Sequence, residues 1–196
     1  LTLRWTAQDA DTDLNFLLSL AKAGSVEEAR GALRSLTTIG QNVVVADVEG
    51  HIGWFPYNRL PSRPWASTEL NPGLPLPGDG SAEWGEPLSY DALPQELDPT
   101  RGFIVTANHD MTGASWDGDA TNNADDPATQ AIQEWPASGY RYSQIVRRLS
   151  AEGPHDLEST ASIIHDRSLL IARRLLPRLL SLIDRARLDE AGALIV

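Results

Sequence analysis

Nine of the chain's thirteen prolines fall in one stretch: Pro56, Pro61, Pro64, Pro72, Pro75, Pro77, Pro87, Pro94 and Pro99. Proline lacks a backbone N–H and fixes φ, so it is excluded from helix interiors and central strands. This stretch therefore predicts mainly loops and turns, with most of the regular structure flanking it. A loop this long in a folded domain is usually functional or packed as a specific cover. Trp65, Leu70 and Trp84 are interleaved with the prolines, which argues that the loop packs.

Before the loop the pattern changes twice. Residues 12–40 carry helical spacing. Leu14, Leu17, Leu18 and Ala21 form the first set, and Gly24 stops it. Ser25 followed by Glu28 has the form of a capping box, and Ala29, Leu33 and Leu36 continue an apolar stripe that Gly40 closes. Leu1-Thr-Leu-Arg-Trp5 reads as strand. Val43 to Asp47 and His51 to Phe55 read as two strands joined through Glu49-Gly50, a hairpin.

After the loop comes Gly102-Phe-Ile-Val-Thr-Ala-Asn-His109, a short β-branched apolar run that stops at Asn108. It predicts a buried strand with a polar amide at its tip. Residues 111–135 are acidic and small. A helix is predicted over 143–152, closed by Gly153. A longer one is predicted from about Asp156 to Arg187, kinked or divided at Pro177. The chain thus divides into residues 1–40, 41–110 and 111–196. No internal repeat or low-complexity tract is present.

Charge and composition remove several function classes. The net charge is −11, which argues against nucleic-acid binding, because phosphate contacts require a basic face. With no cysteine, disulfides, thiolate metal sites and cysteine nucleophiles are impossible. No apolar run approaches the roughly 20 residues needed to span a bilayer.

An amide held at a strand tip is placed to donate a hydrogen bond to a developing oxyanion, since such a donor must be fixed before charge appears. Asn108 is the candidate, and His109 adjoins it. His51, His109, His155 and His165 have no metal-ligand spacing. Asp117-Gly118-Asp119 offers oxygen ligands but lacks the remaining positions of a helix-loop-helix calcium site. No phosphate loop and no nucleophile elbow are present. The residues therefore supply an electrophile-stabilising group without an evident nucleophile.

Several pieces, in one order, carry a resemblance. Gln41-Asn42-Val43-Val44-Val45-Ala46-Asp47-Val48-Glu49-Gly50-His51-Ile52-Gly53 resembles the N-x-x-x-A-D-x-x-G-x-I-G hairpin of the penicillin acylase (penicillin amidase) family. Leu60-Pro61-Ser62-Arg63, Asn71-Pro72-Gly73 to Gly78, Glu83-Trp84 and Leu93-Pro94 resemble its following stretches. Pro99 to Asn108 is similar to P-x-x-G-x-I-x-x-x-N, and Gly139-Tyr140-Arg141 with Ile145 to G-x-R-x-x-x-I. The resemblance covers nearly the whole chain, with the acidic stretch 114–134 the least similar.

The resemblance implies an α+β fold, part of the αββα four-layer arrangement of N-terminal-nucleophile hydrolases. It implies a precursor that cuts itself to expose a Ser, whose hydroxyl attacks a linear amide while its own α-amine acts as base. Carried over by position, Asn108 is the side-chain oxyanion donor and Arg141 orients the catalytic amine region. Gln41 lies where some members place an acyl-pocket residue, and its polarity departs from the apolar side chain expected for an aromatic acyl group. His109 stands beside the site. Pro72 matches a residue whose carbonyl ligates a structural Ca2+ in some members; no cofactor is implied for catalysis. The family's nucleophilic Ser lies upstream of the part that Leu1 resembles, so the chain is expected to be a middle segment of the β subunit. Its implied partners are the rest of that subunit, the α subunit and a small acyl-amide substrate, in the periplasm or outside the cell. A reading of another class is a non-catalytic acyl-ligand-binding or scaffold domain of the same fold.

Overall fold

A computed structural model describes residues 2–9, 14–38, 40–57, 59–67, 69–112, 139–151 and 153–183. The chain forms two compact units, Leu1–Ala137 and Ser138–Val196.

The first unit contains a 3-10 turn, Thr6–Asp9, then helices α1 (Asn15–Leu20) and α2 (Val26–Leu33). Strands β1 (Gln41–Ala46), β2 (Ile52–Tyr57) and β3 (Glu96–Leu97) form an antiparallel sheet in that order. Residues 2–5, expected as strand, carry none.

α2 starts where Ser25 predicts. The Ser25 hydroxyl accepts from the Glu28 N–H at 3.1 Å, and Glu28 Oε2 reaches back to the Gly24 N–H at 2.7 Å. A third N–H, that of Val26, donates to Asp47 Oδ2 at 3.1 Å. The other Asp47 oxygen accepts from the N–H groups of Glu49 and His51 across the hairpin turn. One carboxylate thus ties the helix start to the hairpin, and these bonds hold Asp47 below the usual carboxylate range, the Val26 N–H contributing most. The helix ends at Leu33 rather than Gly40, because the chain must turn back to enter β1. Leu36 is still buried, but beyond the helix.

The core forms where α2 lies on the hairpin. Val26, Leu33, Leu36 and Phe55 are buried together, with Phe16, Val43, Val45 and Tyr90 packed around them. Val45 pairs with Gly53 and Val43 with Phe55, so these four share the face toward α2. The Phe55 ring folds back over Gly53. A Cβ on Gly53 would stand 2.5 Å from Phe55 Cζ and 2.8 Å from Val26 Cγ1. Gly53→Ala is therefore expected to destabilise by about 1–3 kcal/mol through overpacking. A urea midpoint equal to that of the native protein would contradict this packing. On the opposite face Trp54 is buried and its indole N–H donates to Asn42 Oδ1 at 2.7 Å.

The proline-rich stretch packs, as its tryptophans suggest. Pro61 and Pro87 face each other in an isolated bridge, and the bonds come from their neighbours: Ser62 N–H to Glu86 O and Leu88 N–H to Leu60 O. The prolines occupy the non-hydrogen-bonded pair position, where no N–H is required. Trp65 donates its indole N–H to Glu83 O, and Arg4 lies over the Trp84 ring.

The second unit holds α3 (Tyr140–Ala151), α4 (Leu157–Ile164) and α5 (Leu170–Ser181). Asp156 caps α4 in a capping box with Ser159. The predicted long helix is divided, but between Ile164 and Leu170, not at Pro177, which lies inside α5. Asp166 decides the break. Its Oδ1 accepts from the Ser168 N–H and its Oδ2 from the buried Gln144 side chain, which together favour a turn over a continued helix. No helix among the described residues is long and apolar enough to cross a membrane.

Candidate active-site segment

Residues 102–109 do not form the expected strand. Among the described residues the sheet ends at the two-residue β3, and 102–109 pairs with none of its strands. What survives is an alternation of burial from Val105 to His109. Val105, Ala107 and His109 are buried, while Thr106 and Asn108 are exposed. Asn108 has φ +56°, in the left-handed region. That conformation is rare for side-chain-bearing residues, and asparagine tolerates it better than most. The segment therefore bends at Asn108. Asn108 is exposed between two buried neighbours, Ala107 (3% exposed) and His109 (5%). A donor fixed before charge develops is what oxyanion stabilisation requires, and the buried neighbours on either side fix this stretch of backbone.

The approach to this segment is closely held. Asp98, at the end of β3 with φ +46°, exchanges two bonds with Ile52: its N–H donates to Ile52 O, and its Oδ1 accepts the Ile52 N–H, both at 2.9 Å. Its Oδ2 meets His51 Nδ1 at 2.7 Å. This contact raises the His51 pKa, and the Ile52 N–H followed by His51 lowers that of Asp98.

The two shifts set a pH window. A raised histidine pKa stabilises fully below its ordinary value of 6.5 and is lost as pH rises through the folded-state value. A lowered aspartate pKa stabilises above 3.8 and is lost as pH falls through its folded value. The pair is thus strongest between the two, and Asp47 and Glu49, also near His51, act in the same sense. Stability is expected to decline as pH rises above about 6.5 and through the raised His51 pKa, with a smaller decline in His51→Gln. Urea midpoints showing identical declines in both proteins would sink this.

The remaining candidates lie on three different elements of the chain. Gln41 opens β1, exposed and paired with Tyr57. Pro72 is half-buried in a turn whose Leu74 N–H donates to Asn71 O at 3.0 Å, while Asn71 Oδ1 accepts from the Gly73 N–H. Proline's fixed φ suits the second position of such a turn. Arg141 is exposed in the first turn of α3, in the second unit. Asp117 and Asp119 lie outside the described residues. Among the described residues no cluster of three His, Asp or Glu side chains could hold a metal ion. The Pro72 carbonyl would be one ligand in need of others.

Sequence reasoning passed over Arg101 and Glu96. Their signal was an Arg-Gly pair after Pro99 with an acid five residues earlier, too common a pattern to single out.

Comparison with known proteins agrees with the resemblance. The penicillin amidase family pattern matches residues 1–194. Penicillin acylase 2 proenzyme of a Pseudomonas species is 34% identical over 195 residues, covering 98% of this chain and 22% of that protein. The acyl-homoserine lactone acylase QuiP of Pseudomonas aeruginosa is 29% identical over 176 residues, 89% of this chain and 19% of that protein. The chain thus spans about a fifth of the length of these curated relatives. Among solved structures, thermostable penicillin G acylase from Alcaligenes faecalis matches with a TM-score of 0.63 at 24% identity, covering 91% of this chain and 29% of that one. This likeness shows the fold, the α+β fold that this chain shares with part of that structure. The chain belongs to the penicillin amidase family.

Proposed function

We propose that this chain contributes the side-chain oxyanion donor to an acylase that hydrolyses a linear acyl amide. The observation that carries the reading is Asn108, exposed at φ +56° between buried neighbours, at the end of the segment that resembles the family's P-x-x-G-x-I-x-x-x-N. In this reading a Ser exposed by self-cleavage attacks the amide carbonyl, its own amine taking the proton. The carbonyl oxygen becomes an oxyanion and accepts a hydrogen bond from Asn108 Nδ2, with a backbone N–H as the second donor. Collapse of the tetrahedral intermediate releases the amine, and water then frees the acyl group.

The nucleophile and the backbone donor are assigned to the rest of the enzyme, the remainder of the β subunit and the α subunit of one precursor. Arg141 orients the catalytic amine region. Gln41 lines the acyl pocket, where its polarity departs from the apolar side chain expected for an aromatic acyl group, and His109, beside Asn108, is a second substrate-binding residue. A structural Ca2+ would take the Pro72 carbonyl as one ligand. Export to the periplasm or outside the cell follows from the same resemblance. That relatives include both a penicillin acylase and acyl-homoserine lactone acylases supports an acyl amide as the substrate class.

The test is hydrolysis of acyl p-nitroanilides, from phenylacetyl to long-chain, by the complete enzyme. Turnover abolished by a serine-directed inhibitor supports the reading. Saturable acyl binding without turnover would overturn it in favour of a binding domain.

A further inference from the structure

The segment that ends at Asn108 begins at a clamp. Arg101 stands in the turn closed by the Gly102 N–H donating to Pro99 O at 2.8 Å, with Gly102 at φ +75°. Its guanidinium works in two directions. Toward β3, Nη1 donates to Glu96 Oε1 at 2.6 Å and Nη2 to Glu96 Oε2, a bidentate fork. Toward the segment, Nε donates to the Phe103 carbonyl at 2.8 Å, and the guanidinium lies 6.0 Å from the Phe103 ring centre. β3 is itself fixed to β2 through Asp98 and Ile52. A continuous series of bonds therefore runs from the sheet through Glu96 and Arg101 to Phe103, five residues before Asn108.

The clamp contributes little to stability. The Arg101 and Glu96 side chains are 42% and 27% exposed, and ion pairs that wet contribute only about 0–1 kcal/mol. What a planar fork supplies is orientation, because its donors fix the directions of a carboxylate and a carbonyl together. Lysine offers a point charge and cannot hold both. Because Val105, Ala107 and His109 are buried, the run beyond Phe103 has little freedom to absorb a shift at its start.

We propose that Arg101, held by Glu96, is a positioning residue for acyl-amide hydrolysis, fixing the start of the Phe103–Asn108 run so that the Asn108 amide meets the oxyanion. This rests on the reading of Asn108 as oxyanion donor. A misplacement of about 1 Å in a reacting group can cost on the order of 100-fold in rate.

The experiment is a double-mutant cycle in the complete enzyme, on whichever acyl p-nitroanilide the native protein turns over fastest. Arg101→Ala is expected to lower kcat roughly 10- to 100-fold with KM within about twofold, Arg101→Lys to recover little of it, and Glu96→Gln to fall between native and Arg101→Ala. In an Asn108→Ala background, Arg101→Ala should change kcat by less than about twofold, because the group it positions is gone. An equal loss in both backgrounds would mean a structural role and overturn the inference, as would full activity in Arg101→Ala. Full activity in Asn108→Ala, or no turnover by the native protein, would instead overturn the oxyanion reading beneath it. If Arg101→Ala does not fold, Arg101→Lys and Glu96→Gln carry the same cycle.

Discussion

Replacing Asn108 with alanine in the complete enzyme should lower kcat by roughly 100- to 1,000-fold, the usual effect of removing one oxyanion-hole donor, or about 2.7–4 kcal/mol of barrier. KM should change little, because the amide bonds an oxygen that becomes fully negative only in the transition state. The backbone complicates the alanine variant. Asn108 sits at φ +56°, where alanine costs about 1–2 kcal/mol and could shift the segment. Glycine adopts that φ without strain, so Asn108→Gly removes the amide and leaves the backbone. If the amide does the chemistry, the two variants lose activity equally. Asn108→Asp keeps the shape but sets a carboxylate against the oxyanion, so its loss should be at least as large. An Asn108→Gly enzyme with native kcat would show that the position matters for its bend and not for its amide.

Phe55→Ala should cause the largest loss of stability, about 3–5 kcal/mol, from lost transfer energy and the cavity left behind. Phe55 is 1% exposed and closes the contact between β2 and α2 with Val26, Leu33 and Leu36. Its ring also covers Gly53, so its removal uncovers the backbone of the strand to which β3 is bonded. Val44→Ala is the control: it lies on β1 in the same hairpin but is 48% exposed, and should change stability by less than about 0.5 kcal/mol. Urea unfolding followed by tryptophan fluorescence reads both, since buried Trp54 lies in the same sheet. Equal midpoints for the two variants would contradict this placement of the core. A loss of this size is a large share of the roughly 5–15 kcal/mol by which domains are stable.

Both predictions concern residues whose importance was legible to different degrees before any coordinates. The hairpin and its turn at Glu49-Gly50 follow from alternating β-branched residues, and Gly50 has the expected positive φ of +92°. The start of α2 follows from Ser25 and Glu28, and that of α4 from Asp156, because a cap is an interaction among residues three or four apart. The bound position of Asn108 along the chain was readable from the abrupt end of an apolar run and from family resemblance.

Other features depended on partners far away in sequence. Residues 102–109 have strand composition, yet a strand exists only where another backbone offers a ladder, and β3 ends too soon to provide one among the described residues. The end of α2 at Leu33 and the break before α5 were likewise set from a distance. The first reflects the path into β1, and the second Asp166 held by Gln144, 22 residues earlier. Arg101 draws its meaning from Glu96 and Phe103, whose orientations the turn at Gly102 brings within reach of one guanidinium. By itself, then, the sequence determined local elements, caps, turns and family membership. Only the tertiary structure decided which extended run became a strand, where helices stopped and what anchors the Asn108 segment, because those depend on long-range hydrogen bonds and burial that no local pattern encodes.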